Sequence, residues 1–171
     1  MICCVTGHRP NGFPFPRDEN DFAYIEYRCT LSSAIRQLIA EGCTHFISGM
    51  AYGADLDFAD MVLDYASTVQ GITLEAALPY PIRPTKTSTP QQEFRDAIVQ
   101  LCAKTTVVCP HYHRGCMHLR NRYMVDCADI ILAIWNGSRH GGTWYTIQYA
   151  KAKNKPMRYI MLNDMGHYLS L

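Results

Sequence analysis

Along the chain, short runs rich in Val, Ile and other apolar residues, each closed by Gly, Pro or Asn, alternate with longer segments whose apolar positions recur at helical spacing. The runs predict six strands, at Ile2–Thr6, Thr44–Ser48, Ile72–Leu78, Thr105–Cys109, Asp129–Trp135 and Met157–Leu162. Most lack the alternation of a half-exposed sheet, as expected of parallel strands covered on both faces. Between them the helical period predicts helices at Asp21–Glu41, Ala54–Ala66, Pro90–Ala103, His118–Ala128 and Thr143–Lys153. In the first, Ile25, Leu31, Ile35, Leu38 and Ile39 keep roughly helical spacing, and Gly42 stands where a helix end favours glycine. Pro90 with Glu93 close behind suits a helix start, and the lysines closing the last segment suit a C-terminal dipole. Repeated strand–helix–strand units make this an α/β chain: a doubly wound, mainly parallel sheet of about six strands with helices on both faces.

A length of 171 residues suits one domain, 1–171, with a single substantial core. Apolar residues make up 48% and charged ones 18%, a globular composition without blocks of like charge. The formal net charge of +1 means that a polyanion has to be held by a local patch and not by a global field. The opening MICCVTGHRP enters an apolar run with no basic leader, and no run approaches the ~20 apolar residues of a membrane span, so a cytoplasmic protein with no membrane partner is expected. The eight cysteines form no Cys-x-x-Cys pair and read as reduced residues in mostly apolar surroundings. One cluster competes with that reading: CPHYHRGCMH gathers Cys109, His111, His113, Cys116 and His118, all zinc-type ligands. Its spacing matches no established finger or ribbon, so a strand end and a loop is the simpler account, and no metal is expected.

Three predicted turns share one chemistry. The first strand ends in TGHRP, the second in SGMAYGAD and the fifth in WNGSRHGGT. Each offers glycine beside a hydroxyl residue, and amides at a helix N-terminus point toward negative charge. Together they predict a site for a phosphate-bearing ligand built from Thr6, Gly7, His8, Arg9, Ser48, Gly49, Met50, Gly53, Asp55, Arg120, Asn121, Gly141, Gly142 and Thr143. Any one of these turns alone is explained by a corner or a helix cap, as Ser48 or Thr143 illustrates. Arg9 and Arg120 are suited to bidentate phosphate contact, His8 to donation or acid–base work, and Asp55 to a ribose hydroxyl or merely a helix dipole. Aromatic residues Tyr52, Tyr80, Trp135, Trp144 and Tyr145 lie near the same places, for stacking or for packing. The loops NGFPFPRDEND and PYPIRPTKTSTP fall on the carboxyl side of the sheet, where doubly wound folds bind ligands. Neither GxGxxG nor GxxxxGK[ST] occurs, which argues against an ordinary dinucleotide fingerprint and a P-loop.

TGHRP, SGMAYGAD and NRYMVDCADIILAIWNGSRHGGT resemble the YpsA-like proteins of the SLOG superfamily, a Rossmann-like group, over nearly the whole chain. The resemblance implies a nucleotide or nucleotide-derived, ADP-ribose-like ligand and a homo-oligomer, with no required cofactor. SGMAYGADLDFAD is also similar to a motif of DNA-processing protein A, which binds single-stranded DNA; nucleic acid is the weaker alternative here, because no basic groove is evident. The stretch from Met117 to Thr143 is similar to the LOG-type phosphoribohydrolases, whose segment MHxRKxxM precedes a strand and PGGxGTxxE. Met117, His118, Arg120 and Met124 match, which implies nucleotide N-glycosidase activity as a further alternative. Asn121 replaces the lysine, however, and Thr146 stands in place of the glutamate that would stabilise an oxocarbenium-like state. Arg120, Asp55, Glu93 and Asp126 are the candidate catalytic residues, the three carboxylates being candidates for the missing glutamate's role.

Overall fold

A computed structural model describes residues 1–82 and 88–166. Six strands form one sheet: β1 (Ile2–Gly7), β2 (His45–Ser48), β3 (Thr73–Leu78), β4 (Lys104–Val107), β5 (Ile130–Trp135) and β6 (Met157–Met161). Their order is β4-β3-β2-β1-β5-β6, and every pairing is parallel. Five helices connect them: α1 (Phe22–Ala40), α2 (Ala54–Thr68), α3 (Pro90–Leu101), α4 (Cys116–Cys127) and α5 (Gly141–Ala152). None of the helices among the described residues is long and apolar enough to cross a membrane.

Right-handed crossovers put a helix on one face while strand order runs one way and on the other face once it reverses. Leu31, Ile35 and Leu38 of α1, Phe58 and Val62 of α2 and Ile98 of α3 accordingly join one core with Phe46, Leu74 and Leu132. On the opposite face Met124 and Val125 of α4 and Ala150 of α5 pack on Cys4, Ile47, Ala77 and Ile131. The reversal falls between β1 and β5, and the crevice beyond their carboxyl ends is where this class of sheet binds ligands.

The helix starts differ from expectation in informative ways. α3 is capped by Thr89, whose hydroxyl accepts from Gln92 N while the Gln92 side chain accepts from Thr89 N; Glu93 is not part of that box. α5 begins at Gly141, two residues before Thr143, and α4 at Cys116 instead of His118. β4 runs from Lys104 to Val107, not Thr105 to Cys109, although Val108 N and Cys109 N still donate to Leu78 O and Pro79 O. The loop NGFPFPRDEND is largely structural: Phe13 is buried with its ring 5.2 Å from Tyr27, and Arg17 donates to Asp57 at 2.7 Å.

Charge is divided between the two helical layers in a way the net value conceals. Residues 1–96 carry seven Lys/Arg against twelve Asp/Glu, and residues 97–171 carry nine against three. Within the helices themselves α1, α2 and α3 carry three Lys/Arg against seven Asp/Glu, and α4 and α5 carry three against one, so the first layer is net acidic and the second net basic.

Candidate functional site

The three turns meet at the switch point. At Gly7 a Cβ would overlap Ala54 Cβ and lie 3.1 Å from Ile134 Cβ, so glycine is what lets α2 approach the end of β1. The first amide of α2, Ala54 N, donates to His8 O at 3.1 Å, and Gly53 (φ 114) precedes it where a Cβ would lie 2.5 Å from that same oxygen. Ser48 is fully buried; its hydroxyl donates to Asp55 O at 2.7 Å and accepts from Met50 N at 3.2 Å. Thr143 donates to Gly7 O at 2.9 Å, which ties α5 to β1. Both hydroxyl protons are thus committed to the scaffold. The amides opening α5 have no side-chain cap, since His140 makes none.

Arg120 is the electrostatic centre. Its side chain is 7% exposed, its nearest carboxylate is Asp55 at 3.4 Å from Nη1, and its Nε is buried with no partner. Gly49 makes room for the guanidinium: a Cβ there would overlap Nη1 and come within 2.7 Å of Asp55 Oδ2. Burial pushes the Asp55 carboxyl up from its ordinary range against the pull of Arg120, and burial likewise lowers Arg120, which nonetheless stays charged. A buried cation with one long carboxylate contact is under-compensated and leaves demand for a further anion.

Two adjoining cavities share Arg9, Ala51, Met117 and Arg120 on their walls. The smaller, about 240 Å³, is lined also by Thr6, Gly7, His8, Asp55, Asn121, Gly142, Thr143 and Thr146. Burial lowers the His8 pKa, and its Nε2 is buried without a partner. The larger, about 720 Å³, lies over the ends of β2, β3 and β4 and presents Tyr52, Tyr80, Tyr112, Leu78, Ile82 and Arg95. Of the residues expected at a phosphate site, Ser48, Gly53 and Gly141 line neither cavity, while Gly49 and Met50 line the larger.

The candidate carboxylates separate cleanly. Asp55 lines the small cavity, whereas Glu93 accepts from Ser88 at 2.6 Å and Asp126 from Tyr149 at 3.0 Å, both away from the two cavities. Asn121 Nδ2 donates to Thr146 Oγ1 at 2.8 Å, and Thr146 donates to Gly142 O at 2.9 Å. The two positions that depart from the phosphoribohydrolase pattern are therefore bonded to each other.

The Cys/His segment disperses. Cys109 and Cys116 are buried, His113 Nδ1 accepts from Gly115 N at 3.2 Å, the His118 ring lies 4.2 Å from that of Tyr145 in a tilted arrangement, and His111 lines the larger cavity. Among the described residues no three His, Cys, Asp or Glu side chains gather as metal ligands. Trp135 and Trp144 stack on one another at 5.5 Å and line neither of the two cavities. Tyr112 and Arg95 were missed; the only signal for Tyr112 was its place in the loop after the fourth strand. Of PYPIRPTKTSTP, residues 79–82 line the larger cavity and 83–87 lie outside the described residues.

Residues 3–165 match the model of the YspA SLOG family, and the chain belongs to that family. It is similar to a "UPF0398 protein" of Bacillus pumilus (strain SAFR-032), 21% identical over 168 residues that cover 96% of this chain and 89% of the relative.

Proposed function

We propose that this member of the YspA SLOG family binds a nucleotide or nucleotide-derived, ADP-ribose-like ligand, with a phosphate in the small cavity and the base in the larger one. Membership of an SLOG family points to a nucleotide-related role. The observation that carries the reading is Arg120: a buried, under-paired guanidinium on the wall common to both cavities, beside the uncapped amides of α5. The large cavity supplies tyrosine rings and apolar walls suited to a planar base. Titration calorimetry with AMP, ADP-ribose and adenosine tests it. Phosphorylated ligands bind more tightly than adenosine, and Arg120→Met removes that advantage, a loss of about 10- to 100-fold if a charged hydrogen bond is worth ~1.5–3 kcal/mol. Equal binding of AMP and adenosine by the wild-type chain overturns the reading.

A second reading rests on Asp55, the candidate carboxylate that lines the small cavity. In an N-glycosidase, water adds to C1′ as the bond to the base breaks and the base takes up a proton; Asp55 would stabilise the positive charge that develops on the sugar. Against it, the Asn121–Thr146 bond fills the place where the hydrolases carry lysine and glutamate. Chromatography of AMP incubated with the protein decides: release of adenine that Asp55→Asn abolishes establishes hydrolysis, and recovery of intact AMP rejects it.

A further inference from the structure

On the face that α4 covers, the sheet buries a carboxylate. Glu75 of β3 is 2% exposed and accepts four hydrogen bonds: from Tyr123 OH at 2.5 Å and Thr106 Oγ1 at 2.7 Å on Oε1, and from Lys104 Nζ and His45 Nε2 at 3.0 Å on Oε2. These bonds outweigh the effect of burial and hold its pKa down at about 2. His45 belongs to β2 and Lys104 and Thr106 to β4, so three of the donors ride on the sheet with Glu75 itself. The fourth, Tyr123, comes from α4, three residues beyond Arg120.

The apolar contacts of α4, through Met124 and Val125, set how deeply the helix sits on the sheet, and the bonds of Asn121, Arg122 and Asp126 tie it to α5, which leaves Tyr123 as its polar side-chain tie to the sheet itself. A directional bond to a fixed, ionised acceptor resists rotation about the helix axis. A side-chain head about 6 Å from a helix axis moves roughly 2 Å for a 20° roll, enough to take Arg120 out of hydrogen-bonding range of whatever occupies the small cavity. Arg120 reaches the site from the same helix, and its own anchor there is the single contact to Asp55.

We propose that Glu75 and Tyr123 are positioning residues for the anion site: their bond sets the roll of α4 and so holds the Arg120 guanidinium at the wall between the two cavities. The inference rests on the nucleotide-binding reading above. Neither residue lines either cavity. Both act through Arg120.

The test compares AMP with adenosine by calorimetry in three proteins: wild type, Tyr123→Phe, which deletes only the hydroxyl, and Thr106→Val, which deletes a donor to the same carboxylate oxygen that comes from the sheet. Tyr123→Phe lowers AMP affinity at least fivefold and leaves adenosine affinity unchanged. Thr106→Val keeps the AMP-to-adenosine ratio of the wild type, although thermal unfolding reports loss of a bond in both variants. A folded Tyr123→Phe protein with an unaltered ratio overturns the proposal. Equal loss of the ratio in both variants also overturns it, since general loosening of the network would then suffice. A wild-type chain that does not distinguish AMP from adenosine rejects the anion site itself, an outcome separate from either of these.

Discussion

Gly49→Ala is the sharpest test of the site because it disturbs Arg120 without altering a charge. Gly49 does not adopt a left-handed backbone conformation, so alanine is acceptable to the main chain and the effect is spatial. The added methyl would overlap Arg120 Nη1 and crowd Asp55 Oδ2, and the guanidinium, as the end of a flexible side chain, is the group that must leave. It takes with it the charged hydrogen bond that the proposed function assigns to the ligand phosphate, worth about 2 kcal/mol, or roughly 30-fold in Kd. Within the protein, the same move separates a buried ion pair whose contact is already long. A loss of about 2 kcal/mol lowers Tm by about 4–8 °C in a domain of this size. Calorimetry with AMP and adenosine reads the first quantity and scanning calorimetry the second. Gly49→Ala protein that binds AMP within about threefold of wild type refutes the claim that Arg120 occupies this slot when ligand is bound.

Other outcomes follow from the same geometry. Glu75 titrates at about 2 in the folded chain against an ordinary 4.5, so its stabilisation is complete above pH 5 and drains away as pH falls toward 2, by about 3 kcal/mol in all. Urea unfolding at pH 6 and pH 3 should show that gap narrowing between wild type and Glu75→Gln; a gap constant with pH contradicts it. His8 has a lowered pKa and is neutral at pH 7, and an anion beside it favours the protonated ring, so sulfate binds more tightly at pH 6 than at pH 8. His8→Asn abolishes that dependence, and sulfate affinity that is already flat with pH in the wild type argues against it. Thr146→Glu alone buries a carboxylate and destabilises the chain, while Asn121→Lys added to it restores part of the loss. A double-mutant cycle read by urea unfolding should give a favourable coupling of about 1–3 kcal/mol; additivity of the two changes argues against contact between the positions.

The sheet was legible because parallel strands buried on both faces carry continuous apolar runs, and the helices because Leu31, Ile35 and Leu38 keep helical period. Arg120 and Asp55 were legible as candidates, but the bond between them spans 65 positions, and local pattern holds no record of such distances. Hydroxyls were the weakest inference. Ser48 and Thr143 stand in turns that look ready for phosphate, yet each gives its proton to a backbone oxygen fixed by another element. The placement of Glu93 and Asp126 was illegible for a different reason: the face of a helix on which a charge emerges depends on where the helix docks, and both emerge outside the two cavities. The opposed charges of the two layers were hidden because a net value adds charges without regard to where the fold puts them.

If the chain binds the phosphate-bearing ligand proposed above, that opposition bears on how quickly the ligand is found. An anion diffusing toward a nearly neutral molecule would ordinarily arrive from any side, but here the acidic layer repels it and the basic layer draws it toward the rim on which α4 and α5 open the small cavity. Capture thereby acquires a direction. Raising ionic strength shortens the reach of that field to a few ångströms and slows association, while the departure of a phosphate already enclosed beside Arg120 is left nearly as it was.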